Sequence, residues 1–221
     1  TIGTQIDEPD DMLNYWKKTD EQQITQRLNN IKDQVKHLSG VVSNVLQVSK
    51  IQEGRLSFNP KSDDIIAMLK SALREFNDDP GLVNKIVLNT LYDTIYFDFD
   101  KLLLKQVFQN IISNAVKYSQ PDPKISVNLK VNSNTIKIVV KDNGIGIDEE
   151  DLTHLFEPFF RSKEVSQIEG NGLGLSIVKE SVKLHGGEIN VKSKIGSGSE
   201  FEITLPKYQH INGYEQKNTG N

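Results

Sequence analysis

The sequence contains no cysteine among its 221 residues, so disulfide bonds and thiolate metal sites are both excluded. No apolar run approaches the ~20 residues that a membrane-spanning helix needs, and the polar first residues show no signal peptide. Basic residues are not in excess either, since the formal net charge is -4, whereas nucleic-acid binders usually carry a basic face. We therefore expect a cytoplasmic protein that binds no nucleic acid and meets a membrane only through segments upstream of this sequence.

Residues 20–50 carry the clearest periodic pattern. Apolar residues recur there at alternating steps of four and three, which is the spacing of a coiled-coil seam. Pro9 indicates either the start of a shorter helix around residues 12–18 or an interruption in a longer one, and Gly54 is typical of a helix end. A single helix buries little of such a seam, so we expect a partner helix. The seam consists of Ile24, Leu28, Ile31, Val35, Leu38, Val42 and Val45.

From about residue 56 the pattern changes to a mixture of helices and strands. Asp63 or Asp64 is expected to cap a helix to Phe76, and Asp100 a helix to about Ser119. Branched and aromatic runs predict strands, and the mixture predicts an α+β sheet with helices on one face. The domains are then 1–55, 56–206 and a polar tail, 207–221. The predicted strands are 85–91, 94–99, 125–131, 135–141, 188–194 and 200–205; residues 143–170 are expected to be irregular, and 173–184 helical.

Four clusters of residues carry the chemistry. In the first, spacings of four and seven place Asn110, Asn114 and Lys117 on one helical face. An amide oxygen can complete the shell of a Mg²⁺ ion that phosphates already hold, and an ammonium can neutralise phosphate charge. A polar face in water is the alternative, and for two asparagines alone it would be preferred. However, asparagine is a poor helix former, so two in mid-helix need a reason.

The second cluster, Asp142 to Ile147, follows a predicted strand. A carboxylate at Asp142 can accept a hydrogen bond from the exocyclic amine of adenine, whereas the carbonyl of guanine would be repelled. Gly144 and Gly146 allow close approach of the backbone to a base. The alternative is a plain Asp-Asn-Gly turn, which is the preferred interpretation of the string by itself. Its position after a strand, beyond the asparagines, favours a binding site.

The third cluster, Gly170, Gly172 and Gly174, precedes a predicted helix, where successive backbone N–H groups can bind an anion. A dinucleotide fingerprint would need a glycine where Ile177 stands, and the Gly-Lys-Ser/Thr of a P-loop is absent. In the fourth cluster, Gly196 and Gly198 are most simply the glycines of a hairpin turn.

In this order and at these separations, the four clusters resemble the ATP-binding domain of two-component sensor histidine kinases. The resemblance covers residues from about 20 to 206 and implies the GHKL (Bergerat) fold, a two-layer α/β sandwich. The heptad helix, which ends in Ser49 to Leu56, resembles the second helix of the family's dimerisation hairpin. The resemblance therefore also implies a homodimer through this hairpin in the full-length protein, and a response-regulator receiver domain as partner.

The resemblance implies ATP and Mg²⁺ as cofactors, with Asn110 as the metal ligand. The segment from Phe156 is similar to the start of the family's mobile lid, from which Arg161 and Lys163 could reach the phosphates; solvated surface charge is the alternative for Lys163. Asp100 and Gln106 also fit the family's pattern. The implied ATP-binding residues are Asn110, Asn114, Lys117, Tyr118, Asp142, Gly144, Gly146, Ile147, Phe160, Arg161, Gly170, Gly172, Leu173, Gly174, Leu175 and Ser199.

The family's phosphoacceptor, a histidine in a His-Glu-x-x-x-Pro segment, is absent from this sequence. The four histidines have no such context, so we expect solvated or structural roles for them; they are His37, His154, His185 and His210. The expectation is a fragment that binds ATP, transfers its γ-phosphoryl group in line to a histidine supplied in trans, and does not label itself. The phosphoryl group would then pass to a response-regulator aspartate.

Two other functions remain as alternatives. A GHKL-fold ATP hydrolase carries a glutamate as general base where Asn110 stands, and a neutral amide cannot take a proton from water. A non-catalytic nucleotide-binding or dimerisation module would not need suitable residues at every nucleotide-binding position. This sequence has them at each position, which argues against such a module.

Overall fold

The computed structural model describes residues 9–77, 79–162, 165, 168 and 170–207, without the side chains of residues 9–20, 22, 33, 36, 37 and 77. The expectations for the side chains of His37, Lys163 and His210, and for the tail beyond residue 207, lie outside this part of the chain. The described chain divides into two compact units, one that ends at Leu46 and one that begins at Gln47.

A single helix, α1 (Pro9–Gln52), makes up the first unit and continues into the second. The alternative of a separate short helix around residues 12–18 is wrong. Pro9 occupies the first helical position, where its missing N–H group costs no hydrogen bond. The helix ends at Gln52, and Gly54, two residues later, has a φ of +65°, as is typical of a residue that follows a helix. All seven seam residues are exposed within this chain, from 44% at Val45 to 63% at Leu38.

The second unit contains a five-stranded sheet in the order β2-β4-β5-β7-β6, in which only the β2–β4 pair is parallel. A small antiparallel sheet pairs β1 with β3. The elements are β1 (Lys61–Asp64), α2 (Ile65–Asn77), a 3-10 turn (Pro80–Leu82), β2 (Ile86–Asn89), β3 (Tyr96–Phe99), α3 (Lys101–Tyr118), β4 (Ile125–Val131), β5 (Thr135–Lys141), α4 (Glu149–Leu152), α5 (Gly174–Leu184), β6 (Glu188–Ser193) and β7 (Ser199–Pro206).

Short polar side chains start the two long helices of this unit, as the sequence predicts. The Oδ1 atom of Asp64 accepts from the backbone N–H of Ile66 at 3.0 Å, and Asp100 Oδ1 accepts from Leu102 and Leu103 at 3.1 Å each. These bonds satisfy N–H groups that have no partner inside a helix. The start of α3 is therefore fixed, and with it the face on which Asn110 lies.

The core lies between one face of the large sheet and helices α2, α3 and α5. Alternate residues of β4, β5 and β7 are buried, while those between them are not, as expected when one face of a sheet is covered. The arrangement confirms the two-layer α+β prediction. Each fully buried large side chain contributes about 1.5–3 kcal/mol; those with no exposure include Ile65, Leu69, Leu104, Phe108, Ile111, Ile138, Val178, Val182 and Ile203.

Some elements differ from the sequence expectation. Strand β1 has the sequence Lys-Ser-Asp-Asp, which carries no strand pattern, and it forms because β3 pairs with it. A short helix, α4, stands inside the stretch expected to be irregular; Asp148 caps it by accepting from Glu150 N at 3.0 Å. The strands expected at 85–91 and 94–99 are shorter, as β2 and β3.

His185 is fully buried, and its role is structural. Its Nε2 atom accepts from Asp100 N at 3.0 Å, and its Nδ1 atom donates to the carbonyl oxygen of Ser181 at 2.7 Å. This pattern requires the neutral ring, because a protonated imidazole could not accept from Asp100 N. Burial also lowers the pKa of His185 below its usual 6.5. The ring thus joins the end of α5 to the residue that caps α3.

Candidate nucleotide-binding site

One end of the site lies where α3 meets the start of α5. A Cβ atom placed on Gly174 would stand 3.3 Å from Asn110 Oδ1, and one placed on Gly170 would stand 2.9 Å from Lys117 Nζ. The first and third sequence clusters are therefore neighbours in space. The Lys117 ammonium also lies 4.9 Å from the ring centre of Tyr118. An amide, an ammonium and a glycine-rich helix start in contact form a suitable environment for phosphate.

The amide nitrogen of Asn110 is buried, and within the described part of the chain it has no hydrogen-bond partner. Leaving such a group unpaired costs about 1–3 kcal/mol, so a polar group buried in this way calls for an explanation. A polar ligand that binds beside α3 and α5 would supply the missing interaction. The orphaned amide is thus a second indication of a site at this point.

Magnesium fits this site only together with a ligand that brings further oxygen atoms. The described residues contain no group of three or more histidine, aspartate or glutamate side chains that could hold a metal. Asn110 offers a single neutral oxygen, and Mg²⁺ commonly takes one or two protein ligands alongside substrate phosphates and water. The chemistry therefore suits a phosphate-bound magnesium ion and does not suit a metal held by protein alone.

The other end of the site is organised around Asp142, which directly follows β5 and is 7% exposed. Its Oδ1 atom accepts from the backbone N–H groups of Gly144 at 2.8 Å and Ser199 at 3.0 Å. Its Oδ2 atom accepts no hydrogen bond from residues 9–77, 79–162 or 170–207. Burial raises the pKa of Asp142, and the two backbone bonds only partly oppose this rise. A buried carboxylate with one free oxygen is well prepared to bind a donor such as an amine.

The two ends are connected through the loop after Asp142. Ile145 N donates to the carbonyl oxygen of Tyr118 at 3.1 Å, so this loop is fixed to the last residue of α3. Ile147 is half-buried and packs against the core. The helix α3, which carries Asn110 and Lys117, is therefore directly hydrogen-bonded to the loop that follows Asp142.

Gly196 and Gly198 turn the hairpin between β6 and β7, as predicted, and this turn also packs against the loop that follows Asp142. Gly198 has a φ of +80°, and a Cβ atom on it would lie 2.1 Å from Asp142 O. Gly146 has a φ of +76°, and its Cβ would lie 2.1 Å from Lys194 O. No side chain fits at either position, and both conformations favour glycine. The turn and the Asp142 loop are thus in direct backbone contact.

The segment from Phe156, which is predicted to begin a lid, contacts the glycine-rich segment through its backbone. Phe159 has a φ of +67°, which is unusual for a residue with a side chain, and its N–H donates to Gly172 O at 3.0 Å. Arg161 Nη2 donates to Val165 O at 2.7 Å and also contacts Ile168 O. In this structure the Nη2 group of Arg161 is therefore engaged by two backbone carbonyls of the same segment. Phe160 is half-buried near His154, with their ring centres 5.8 Å apart.

The remaining residues expected to bind ATP lie at different depths. Leu173 is fully buried in a small apolar cluster with Ile177, Val48 and Ile51, so in this structure it packs rather than presents a free surface. Leu175 is half-buried against the main core. Asn114 is half-buried on the same face of α3 as Asn110.

Two residues at the site were missed by the sequence reasoning. The hydroxyl of Ser119 is buried, has no partner within the described residues, and lies 3.0 Å from a Cβ placed on Gly144. The hydroxyl of Ser193 contacts the Asp142 loop through Ile147 N at 2.9 Å. Neither belongs to a glycine or asparagine cluster, so only the folded arrangement reveals them.

Residues 99–209, about half of the chain, match the family described as histidine kinase-, DNA gyrase B-, and HSP90-like ATPase. The chain is 33% identical over 195 residues to the sensor protein SrrB of Staphylococcus aureus; the match covers 86% of this chain and 33% of SrrB. The chain thus spans about a third of the length of this curated relative.

Solved structures agree with the fold. The Acinetobacter baumannii histidine kinase AdeS is 27% identical, with a TM-score of 0.67, over 82% of this chain and 84% of that one. The histidine kinase ThkA, solved in complex with the response regulator TrrA, is 22% identical, with a TM-score of 0.62 over 79% and 49%. This second likeness shows the shared fold.

Proposed function

Because this chain belongs to the family of histidine kinase-, DNA gyrase B- and HSP90-like ATPases, we propose that it is the ATP-binding part of a two-component sensor histidine kinase. The proposed activity is transfer of the γ-phosphoryl group of Mg-ATP to a histidine. One observation carries the proposal: the Asn110 amide lies beside Gly174 at one end of a site whose other end is the buried Asp142. This arrangement suits a ligand with phosphates at one end and an amino-purine at the other.

The residues of this chain would position the reactants. Asn110 contributes a metal ligand, while Lys117 and the N–H groups at the start of α5 bind phosphate oxygens. Asp142 Oδ2 accepts a hydrogen bond from the 6-amino group of adenine, and Ser199 lies next to it. Magnesium, when bound, offsets the negative charge that shifts between the phosphates during transfer. The protein then mainly has to hold the γ-phosphorus in line with an imidazole nitrogen.

The acceptor and the partners belong to the proposal. An imidazole is a nucleophile at neutral pH, so the ATP-binding part needs no strong base. The acceptor histidine would come from a His-Glu-x-x-x-Pro segment, which does not occur within these 221 residues. A response-regulator receiver domain would then take the phosphoryl group, as the complex of ThkA with TrrA suggests for a protein of the same fold.

A homodimer through α1 would complete the proposed kinase. The seam is exposed along its whole length within this chain, and a second helix would bury it.

None of the helices in the described part of the chain has the length and apolar character that a membrane span requires. We place the proposed kinase domain in the cytoplasm, where ATP and a receiver domain are available.

An ATP hydrolase is the second candidate, because the same family includes such enzymes. The amide of Asn110 stands beside Gly174, at the position where the hydrolases carry a glutamate base. An amide cannot remove a proton from water, so the site favours transfer over hydrolysis.

The test is transfer from γ-labelled ATP to a separate domain that bears the acceptor histidine. The wild-type chain should label the histidine, and Asn110→Ala should lower the transfer rate at least about tenfold, since even outer-shell partners of metal sites are worth this much. Asn89→Ala, an exposed asparagine on β2, is the matched control and should transfer normally. Rapid phosphate release without acceptor would support the hydrolase instead, and unchanged transfer by Asn110→Ala would remove this residue from the proposed metal site.

A further inference from the structure

Ser193 is the last residue of β6 and pairs with Ser199, the first residue of β7. Its hydroxyl oxygen has three close neighbours. It lies 2.9 Å from the carbonyl oxygen of Gly198, 2.9 Å from the backbone nitrogen of Ile147, and 2.9 Å from the Oγ atom of Ser199. These neighbours belong to the β6–β7 turn and to the loop after Asp142. Ser193 therefore lies at the junction of the two segments that surround the buried carboxylate.

The direction of each hydrogen bond follows from the chemistry of the neighbours. A serine hydroxyl has one hydrogen to donate and two lone pairs to accept with. The Gly198 carbonyl can only accept, so it takes the single hydrogen of Ser193. The Ile147 N–H can only donate, so it occupies one lone pair. The distance between Ser193 Oγ and Ser199 Oγ fits either direction of donation. With the hydrogen of Ser193 donated to Gly198 O, Ser199 is the donor in this pair.

This assignment decides what Ser199 can offer to any other group. Its only hydroxyl hydrogen points to Ser193, so its lone pairs are all that remain. The backbone N–H of Ser199 is also in use, because it donates to Asp142 Oδ1 at 3.0 Å. The other oxygen of Asp142, Oδ2, is an acceptor. Ser199 and Asp142 together thus present acceptors and no free donor.

We propose that Ser193 is a positioning residue for base selectivity, acting through the hydroxyl of Ser199. By holding the Ser199 hydrogen, it leaves an acceptor that matches the 6-amino group of adenine and opposes the 6-carbonyl of hypoxanthine or guanine. An acceptor placed against an acceptor leaves both unpaired, which is how polar sites reject a near-isosteric ligand. The inference rests on the proposed function, in which Asp142 and Ser199 face the base.

The test compares the dissociation constants of ATP and inosine triphosphate (ITP), measured by titration calorimetry on the 221-residue chain with Mg²⁺. Ser193→Ala releases the Ser199 hydrogen, which can then rotate and donate to the 6-carbonyl of ITP. One neutral hydrogen bond gained should lower the ratio of the ITP to the ATP dissociation constant about fivefold. Ser193→Thr keeps the hydroxyl and should retain the wild-type ratio.

Two further variants separate this effect from general loosening of the turn. Ser197→Ala changes an exposed serine of the same turn and should leave the ratio unchanged. Ser199→Ala removes the oxygen through which Ser193 acts, so adding Ser193→Ala to it should produce no further change in the ratio. Thermal melting followed by circular dichroism checks that each variant is folded.

The inference is overturned if Ser193→Ala weakens ATP and ITP by the same factor, or if its effect on the ratio persists without the Ser199 hydroxyl. Should Ser193→Ala not fold, Ser199→Ala alone decides the matter. It should lower the ratio, because the opposing lone pair is gone, and an unchanged ratio means that Ser199 does not face position 6. A wild-type chain that binds neither nucleotide would instead overturn the proposed function itself.

Discussion

The substitution Asp142→Asn separates the contribution of this residue to binding from its contribution to stability. An asparagine has the same shape, and its carbonyl oxygen can still accept the hydrogen bonds from Gly144 N and Ser199 N. Its NH₂ group would replace Oδ2, so that a donor stands where the free acceptor was. The fold should therefore persist while the chemistry presented to a base is inverted.

The expected loss of ATP affinity follows from the bond that is removed. A hydrogen bond to a charged group contributes about 1.5–3 kcal/mol, which corresponds to a dissociation constant for ATP that rises about 10- to 150-fold. ITP should lose much less, because its 6-carbonyl can accept from the new NH₂ group. Calorimetry with both nucleotides measures this change, and Asp98→Asn, an exposed aspartate on β3, is the matched control.

Stability should change in the opposite direction. Burial raises the pKa of Asp142 in the folded chain above the 3.8 of the unfolded chain. The folded state therefore binds more protons in the pH range just above 3.8, and the free energy of unfolding falls as pH rises through this range. Asp142→Asn removes this penalty, so at neutral pH the variant should be at least as stable as the wild type. Unchanged ATP affinity together with lower stability would refute the reasoning, because Asp142 would then be a structural residue.

Two further predictions concern His185 and the seam of α1. The pKa of His185 is lowered in the folded chain. The free energy of unfolding is therefore highest above pH 6.5, the pKa of the unfolded chain. It falls as the pH drops below 6.5, by at most about 1.4 kcal/mol per pH unit. Urea midpoints at pH 7.5 and 5.5 should therefore differ more for the wild type than for His185→Gln, and equal pH dependence in both would contradict this role. If α1 pairs with a second copy, Leu38→Glu removes a buried leucine worth about 1.5 kcal/mol or more from each helix, so the dimer dissociation constant should rise by at least about 100-fold. Sedimentation equilibrium measures this constant. Gln26→Glu changes an exposed residue on the face of α1 opposite the seam and should leave the constant unchanged. A Leu38→Glu dimer of wild-type strength would exclude the seam as the interface.

Sequence patterns that act over a few neighbouring residues predicted a large part of this structure. The hairpin β4–β5 has the predicted bounds, because alternation over seven residues in each strand and a turn organised by Asn132 act over a few neighbours. The start of α3 follows from the Asp100 cap in the same way. The residues of the four clusters are likewise visible in the sequence, since each depends on spacing within one helix or one loop.

Tertiary structure alone decided how these parts meet. Strand β1 exists because β3 pairs with it, although its own residues have little preference for a strand. The β5–β7 register pairs Lys141 with Glu200, so the next residue, Asp142, meets Ser199 and the β6–β7 turn. Ser193 and Gly198 join the site for this reason, and Asn110 meets Gly174 because α3 and α5 lie side by side. Contacts between residues dozens of positions apart depend on how the sheet and the helices pack, and no local pattern encodes them.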